Sequence, residues 1–270
     1  MQKLRNKGLW EKEMKVFVNV LGLFVLGLVL TGEEPDLDDA SFMASLRPVM
    51  ADASSPLEIR SKAGKCLTER LKKKPDFIEF VRKQMVCESN SEVRLFLFTS
   101  LVNVEEGKSC DDCIWALTDP SPVIRKYALI AISKYQIQSA YQYVSLGLIS
   151  SNTTERIAAL YTLQKVVPND AAPFFVAALD DRDADVAKRA AYLLRSCPKQ
   201  KALPLILRYL NTPREPQGRE DVLKALAATV NFLLDEHDGH RNSLSERIQK
   251  WIQMQEKTHQ SSWASDGGEK

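Results

Sequence analysis

Histidine is the scarcest of the residues on which catalysis usually depends: the 270 residues hold only His237, His240 and His259. A Ser/His or Cys/His pair would have to borrow one of these from the C-terminal end. Gly-rich loops that cradle phosphate are missing, and so is the Gly-x-Ser-x-Gly elbow. Together these absences argue against an enzyme, and no cofactor is implied. Net charge is equally scarce. The chain carries 37 basic and 35 acidic residues, and beyond residue 32 the balance is 32 against 33. A nucleic-acid binder usually carries a basic face, so neither nucleic acid nor acidic lipid is an expected partner.

No apolar run has the length of a spanning helix. The longest, residues 16–30, is apolar except for Asn19. A helix of that length at ~1.5 Å rise reaches roughly 22 Å, short of the ~30 Å hydrocarbon core. Lysines precede the run, and Gly32 stands before the acidic stretch Glu33–Asp39. Basic flank, length and small residue fit a secretory signal over residues 1–32, with Met14 as an alternative start. Residues 33–39 then form a linker. Export, to a periplasm or outside the cell, is the expectation; a retained segment would instead anchor the chain in a membrane.

What the chain has in quantity is a recurring helical pattern. With Arg125 as reference, the same slot falls at Arg60, Arg94, Arg156, Ala187 and Leu223, spaced by 34, 31, 31, 31 and 36 residues. One residue earlier come Ile59, Val93, Ile124, Glu155, Val186 and Val222. Three residues later come Ala63, Leu97, Ala128, Ala159, Ala190 and Leu226, and seven later Leu67, Leu101, Ile132, Leu163, Leu194 and Val230. Positions four apart share one face of an α-helix. A stripe that returns at a fixed period means stacked units, none of which buries its apolar face alone.

The units read as helix pairs. First helices begin near Ser55-Pro56, Ser91, Ser121-Pro122, Asn152, Asp183 and Arg219. Ser followed by Pro suits an N-cap and first helical position. Second helices fall near 75–87, 110–118, 138–149, 169–179, 198–210 and 243–256, and short loops favour antiparallel neighbours. Residues 39–51 read as one more helix, capping the stack. Residues 258–270 read as a mobile tail.

Two stretches, Asp119-Pro120-Ser121-Pro122-Val123-Ile124-Arg125 with Ala128, and Asp181-Arg182-Asp183-Ala184-Asp185-Val186 with Ala190, resemble HEAT repeats. The likeness is to the short HEAT-like type of bacterial proteins and phycobilin (PBS) lyases, and covers residues 40–257. It implies an all-α, right-handed α-solenoid of about six antiparallel pairs, armadillo-like in build. It also implies an acid about six residues before the arginine, the two bonding between neighbouring units. Glu88/Arg94 and Asp119/Arg125 keep that spacing, whereas Ser150/Arg156 and Asp181/Ala187 each lose one member. Such arrays serve mostly as binding surfaces, so the resemblance points to a non-enzymatic scaffold for a protein partner. A lyase or chaperone acting on a partner protein, and a membrane-anchored adaptor, are the alternatives.

In that family second helices line the concave side, where Tyr141, Tyr143 and Tyr209 are the candidate contacts. Phe175, sharing a slot with Val144, reads as core. Arg214, Glu215 and Arg219 in the long turn 211–220 are further candidates. Cys110-Asp111-Asp112-Cys113 admits packed thiols, a structural disulfide in an exported chain, or a redox or metal site. His237 and His240 with a neighbouring acid admit a divalent ion, though Asp235–His240 is rich in turn formers. Lys72–Lys74 reads as a solvated turn. Asn152-Thr153-Thr154 matches a glycosylation acceptor but coincides with a helix start, where such residues cap.

Overall fold

The computed structural model describes residues 27, 37–52, 54–106, 108, 110–213, 219–235 and 242–266, with side chains as far as 256. Apart from residue 27, the expected signal segment lies outside them. Among the described residues there are thirteen α-helices and no strand, an all-α chain. It divides into two compact units, residues 1–131 and 132–270.

The first unit contains α1 (Asp39–Ala51), α2 (Leu57–Lys73), α3 (Asp76–Cys87), α4 (Ser91–Glu105), α5 (Cys110–Leu117) and the start of α6 (Pro122–Tyr135). Helix α4 is its hub: α1, α2, α3 and α5 all pack on it. Phe42, Leu46 and Met50 bury one face of α1. A charge fixes it there. The buried Arg70 donates through Nη2 to Asp39 Oδ1 (2.8 Å) and to the Leu37 carbonyl (2.7 Å), and its guanidinium lies 4.4 Å from the Phe42 ring centroid. Both a carboxylate and a ring face thus compensate its desolvation.

The second unit holds α7 (Tyr141–Leu146), with 3₁₀ turns at Gln138–Ala140 and Gly147–Ile149, then α8 (Thr153–Val166), α9 (Ala172–Ala178) and α10 (Ala184–Leu193). A 3₁₀ turn at Leu194–Ser196 leads to α11 (Lys199–Asn211), α12 (Glu220–Leu234) and α13 (Leu244–Asp266). Helix α10 packs between α8 and α12, and α11 between α9 and α13. The last helix runs on to Asp266 and so takes in most of the expected mobile tail.

The apolar stripe is buried as its period requires. Every residue at the slots three and seven after the reference is inside. One residue before it, Val93, Ile124, Val186 and Val222 are buried and Ile59 is half-buried. Glu155, the polar exception, is also buried and accepts from the Ser150 hydroxyl at 2.8 Å. Helix starts follow local chemistry. Asn90 and Asn152 each accept two backbone N–H groups of the first turn through the side-chain oxygen, and Asp183 accepts one. Ser55 does not cap as expected: its hydroxyl donates to Asp52, and α2 starts after Pro56 with no side-chain cap.

The arginine slot forms a clasp built from a different carboxylate than the spacing suggested. Arg94 donates through Nε and Nη2 to the Asp119 carboxylate (2.8 and 2.9 Å), and through Nη1 to the carbonyls of Glu88 and Ser89 (3.1 and 2.9 Å). Arg156 repeats this on Asp181 (2.8 and 2.9 Å) and on the carbonyls of Ser150 and Ser151 (3.0 and 3.3 Å). The residue six before the arginine therefore supplies its backbone oxygen, and the carboxylate comes from 25 residues later. Asp119 and Asp181 also accept the N–H two residues on (2.7 and 2.8 Å), so one group closes a turn and neutralises a cation. Arg60 departs from the pattern: it bonds Glu92, while Glu88 is taken by Arg47.

Close packing is sharpest at Gly147, where an added Cβ would sit 3.0 Å from the Ala159 Cβ. Gly147→Leu is expected to destabilise by about 1–3 kcal/mol through overpacking. Asp181→Ala, which leaves the Arg156 guanidinium buried without its counter-charge, is expected to cost about 3–5 kcal/mol. The exposed pair Lys72–Glu69 is the control: Lys72→Ala is expected to change stability by less than about 1 kcal/mol. Urea unfolding followed by circular dichroism measures all three.

Candidate functional site

The second-helix segment 138–149 carries the most exposed apolar stripe of the second unit. Tyr143, Leu146 and Ile149 stand out at 42%, 57% and 82% exposure. Two features place them together. They are spaced by three, and the chain tightens into a 3₁₀ turn from Gly147, where residues three apart eclipse one another. Val144 points the other way and is fully buried. Tyr141 is half-buried, its ring edge-on to Phe174 with centroids 6.5 Å apart. Tyr143 is thus an exposed candidate as expected and Tyr141 a partial one. Leu146 and Ile149 were not singled out in the sequence, although a three-residue spacing would have found them.

Tyr209 is not a surface residue. It is buried, and its hydroxyl lies 3.5 Å from the Leu179 carbonyl and 3.3 Å from Asp180 Oδ1. Arg219 donates to the same hydroxyl at 3.3 Å and also to Asp180, which raises its pKa above the ordinary arginine value. These side chains tie the end of α11 and the start of α12 to the turn after α9. Arg219 is therefore engaged in an internal clasp, while Arg214 and Glu215 lie outside the described residues. So do His237 and His240. No group of three His, Cys, Asp or Glu side chains that could hold a metal ion occurs among the described residues.

In the first unit a cleft of about 200 Å³ opens between α1, α3 and α4, lined by Met43, Phe80 and Leu97 among others. Arg47 closes its rim with a bidentate bond to Glu88, both contacts at 2.8 Å. That bond holds the Glu88 carboxyl below its usual range. Ligand pockets usually span about 300–1,000 Å³, so this one is undersized for a drug-sized molecule.

Cys110-Asp111-Asp112-Cys113 opens α5, and Cys113, like Cys66, Cys87 and Cys197, is an unbridged thiol. Cys113 is fully buried. Burial first, and then the charge of Asp112, pushes its thiol up to about 12. Asp112 is itself buried, which raises its carboxyl, against the opposing pull of Arg82 at 3.1 Å. Arg82 also bonds Glu105, so Asp112, one of the motif's two acids, is spent on a charge network. Burial pushes the thiols of Cys66 and Cys197 to about 11. Only thiolate attacks a disulfide reagent. At about pH 8 a chromogenic aromatic disulfide is expected to modify the exposed Cys87 readily, and Cys66, Cys113 and Cys197 only after denaturant is added. Mass spectrometry of the labelled peptides gives the order of reaction; fast native labelling at Cys113 would contradict its burial.

Comparison with family models and with curated proteins finds no match. Solved structures do match. A crystal structure of an engineered protein is 18% identical, covering 69% of this chain and 96% of that one, with a TM-score of 0.39. The X-ray structure of YIBA_ECOLI is 14% identical over 87% of this chain and 94% of that one, at 0.45. A second engineered protein is 16% identical over 80% and 70%, at 0.41. At these scores none of the three bears on function.

Proposed function

We propose that this chain is an exported, non-enzymatic scaffold of HEAT-like helix pairs, stacked as a right-handed α-solenoid, that holds a protein partner on its second-helix face. The observation that carries the reading is the exposed stripe Tyr143, Leu146 and Ile149 on a segment whose opposite side is locked into the core. Apolar side chains fixed on a rigid helix lose little conformational freedom when they are covered, so contact with an apolar patch is favourable. The repeated clasps at Arg94 and Arg156 support stacking in a common register. The basic flank and short apolar run before Gly32 support export. The turn 211–220, through Arg214 and Glu215, is a second contact in this reading.

A photo-reactive residue at position 149 is expected to give one discrete protein adduct in the cell fraction that holds the mature chain. Tyr143→Ser combined with Leu146→Glu is expected to remove it while leaving helicity intact. No adduct, or one indifferent to these changes, ends the reading. N-terminal sequencing of the mature chain tests export. Small-angle scattering tests the stacking: the solenoid requires a radius of gyration above the roughly 18 Å of a compact domain of this length.

A further inference from the structure

A second exposed ridge runs along the first helices of the second unit and uses different chemistry. Tyr161 on α8 and Tyr192 on α10 occupy the same slot 31 residues apart, five after Arg156 and Ala187. Both are exposed, as is Phe232 on α12. Two arginines link the rings. Arg189 Nη1 donates to the Tyr161 hydroxyl at 3.0 Å. The Arg195 guanidinium lies 5.0 Å from the Tyr192 ring centroid and 5.6 Å from that of Phe232. Its Nε donates to Thr229 Oγ1 at 3.3 Å, and that hydroxyl donates to the Ala191 carbonyl at 2.7 Å.

These two cations are held by aromatic groups and hydroxyls, not by carboxylates. In the same unit Arg156, Lys188, Lys201, Arg219 and Lys224 each meet a carboxylate. Arg189 and Arg195 meet none among the described residues; ring faces and hydroxyls hold them instead. A guanidinium held in place over aromatic rings keeps its charge and most of its donors for an incoming group. Tyr, Phe and Arg are also the side chains on which interface energy concentrates.

We propose that this ridge docks an acidic segment of another protein, its carboxylates on Arg189 and Arg195 and its apolar side chains against Tyr192 and Phe232. A peptide is favoured over a nucleic acid because exposed carboxylates flank the ridge on its own helices, Asp185 on α10 and Asp221 on α12. Each is paired with a lysine one turn away, Lys188 and Lys224, so the ridge offers isolated cations and not the continuous basic track that a phosphate backbone needs. This surface goes beyond the second-helix reading and does not depend on it.

The test titrates the purified chain into a fluorescent dodecapeptide alternating Glu or Asp with Leu or Trp, read by fluorescence anisotropy. Parallel titrations use its Gln/Asn counterpart and a single-stranded oligothymidylate. Saturable binding of the acidic peptide is expected, weakened about tenfold or more in the amide peptide, in Arg195→Ala and in Tyr192→Ala. Arg189→Ala, which leaves the Arg195 contacts untouched, is expected to weaken it less. Leu146→Glu is expected to leave it unchanged, which separates this surface from the second-helix one. Circular dichroism and the melting temperature establish that each variant is folded. Equal binding of the amide peptide, indifference to both Arg195→Ala and Arg189→Ala in folded variants, or tighter binding of the oligonucleotide overturns the proposal. Concentration-dependent self-association abolished by Arg195→Glu, with no peptide binding, overturns it in favour of a second copy of this chain.

Discussion

A guanidinium removed from water needs a carboxylate held at the right place, because the desolvation it suffers is recovered only in good geometry. Arg94 and Arg156 meet that condition with Asp119 and Asp181, and the rest of the arrangement follows from how they do so. Each arginine stands on the first turn of a helix. It takes two carbonyls from the turn before its helix and a carboxylate from the turn that begins the next first helix. Three chain segments converge on one cation, so the crossing of successive helices is set by directional bonds as well as by apolar packing. The apolar slots then need only be small or branched enough to close the gap, as Ala128, Ala159 and Ala190 do.

Where the clasp lapses, other polar contacts stand in. Arg60 turns to Glu92 and packs 5.4 Å from the Phe96 ring, leaving its Nε buried without a hydrogen bond. Glu88 is held by Arg47 from α1, which joins that helix to the turn between α3 and α4. Ala187 replaces the arginine altogether, and Tyr209, Asp180 and Arg219 tie the end of α11 and the start of α12 to the turn after α9. These substitutes consume residues that look free in the sequence, Tyr209 and Arg219 above all.

The helix pairs and their buried faces were legible because burial repeats with the helical period: a slot that must face inward shows its requirement in every unit. Partner choice was not. Asp119 lies six residues before Arg125, but its carboxylate serves Arg94, and only the folded turn reveals that the near neighbour contributes a carbonyl. Exposure on the second helices was read from residue type, which failed at Tyr209, where the hydroxyl finds partners inside. It also missed Ile149, because a 3₁₀ turn rotates the outward face away from the phase of an α-helix. The CxxC motif illustrates the same limit, since Asp112, one of the two acids between its thiols, is committed to Arg82 thirty residues earlier. Arg214, Glu215, His237 and His240 fall outside the described residues.

The two outward surfaces of the second unit differ in the forces they offer. Contact at Tyr143, Leu146 and Ile149 would rest on apolar area, which salt does not screen. Contact at Arg189 and Arg195 would rest partly on exposed charge, weakened once the Debye length falls to about 3 Å near 1 M salt. Charge at an interface acts chiefly on encounter rate and orientation, whereas buried apolar anchors act on the rate of release. A partner that spanned both surfaces would be steered by one and retained by the other. The rings of Tyr192 and Phe232 beside Arg195 sharpen this division, since they hold the cation without neutralising it.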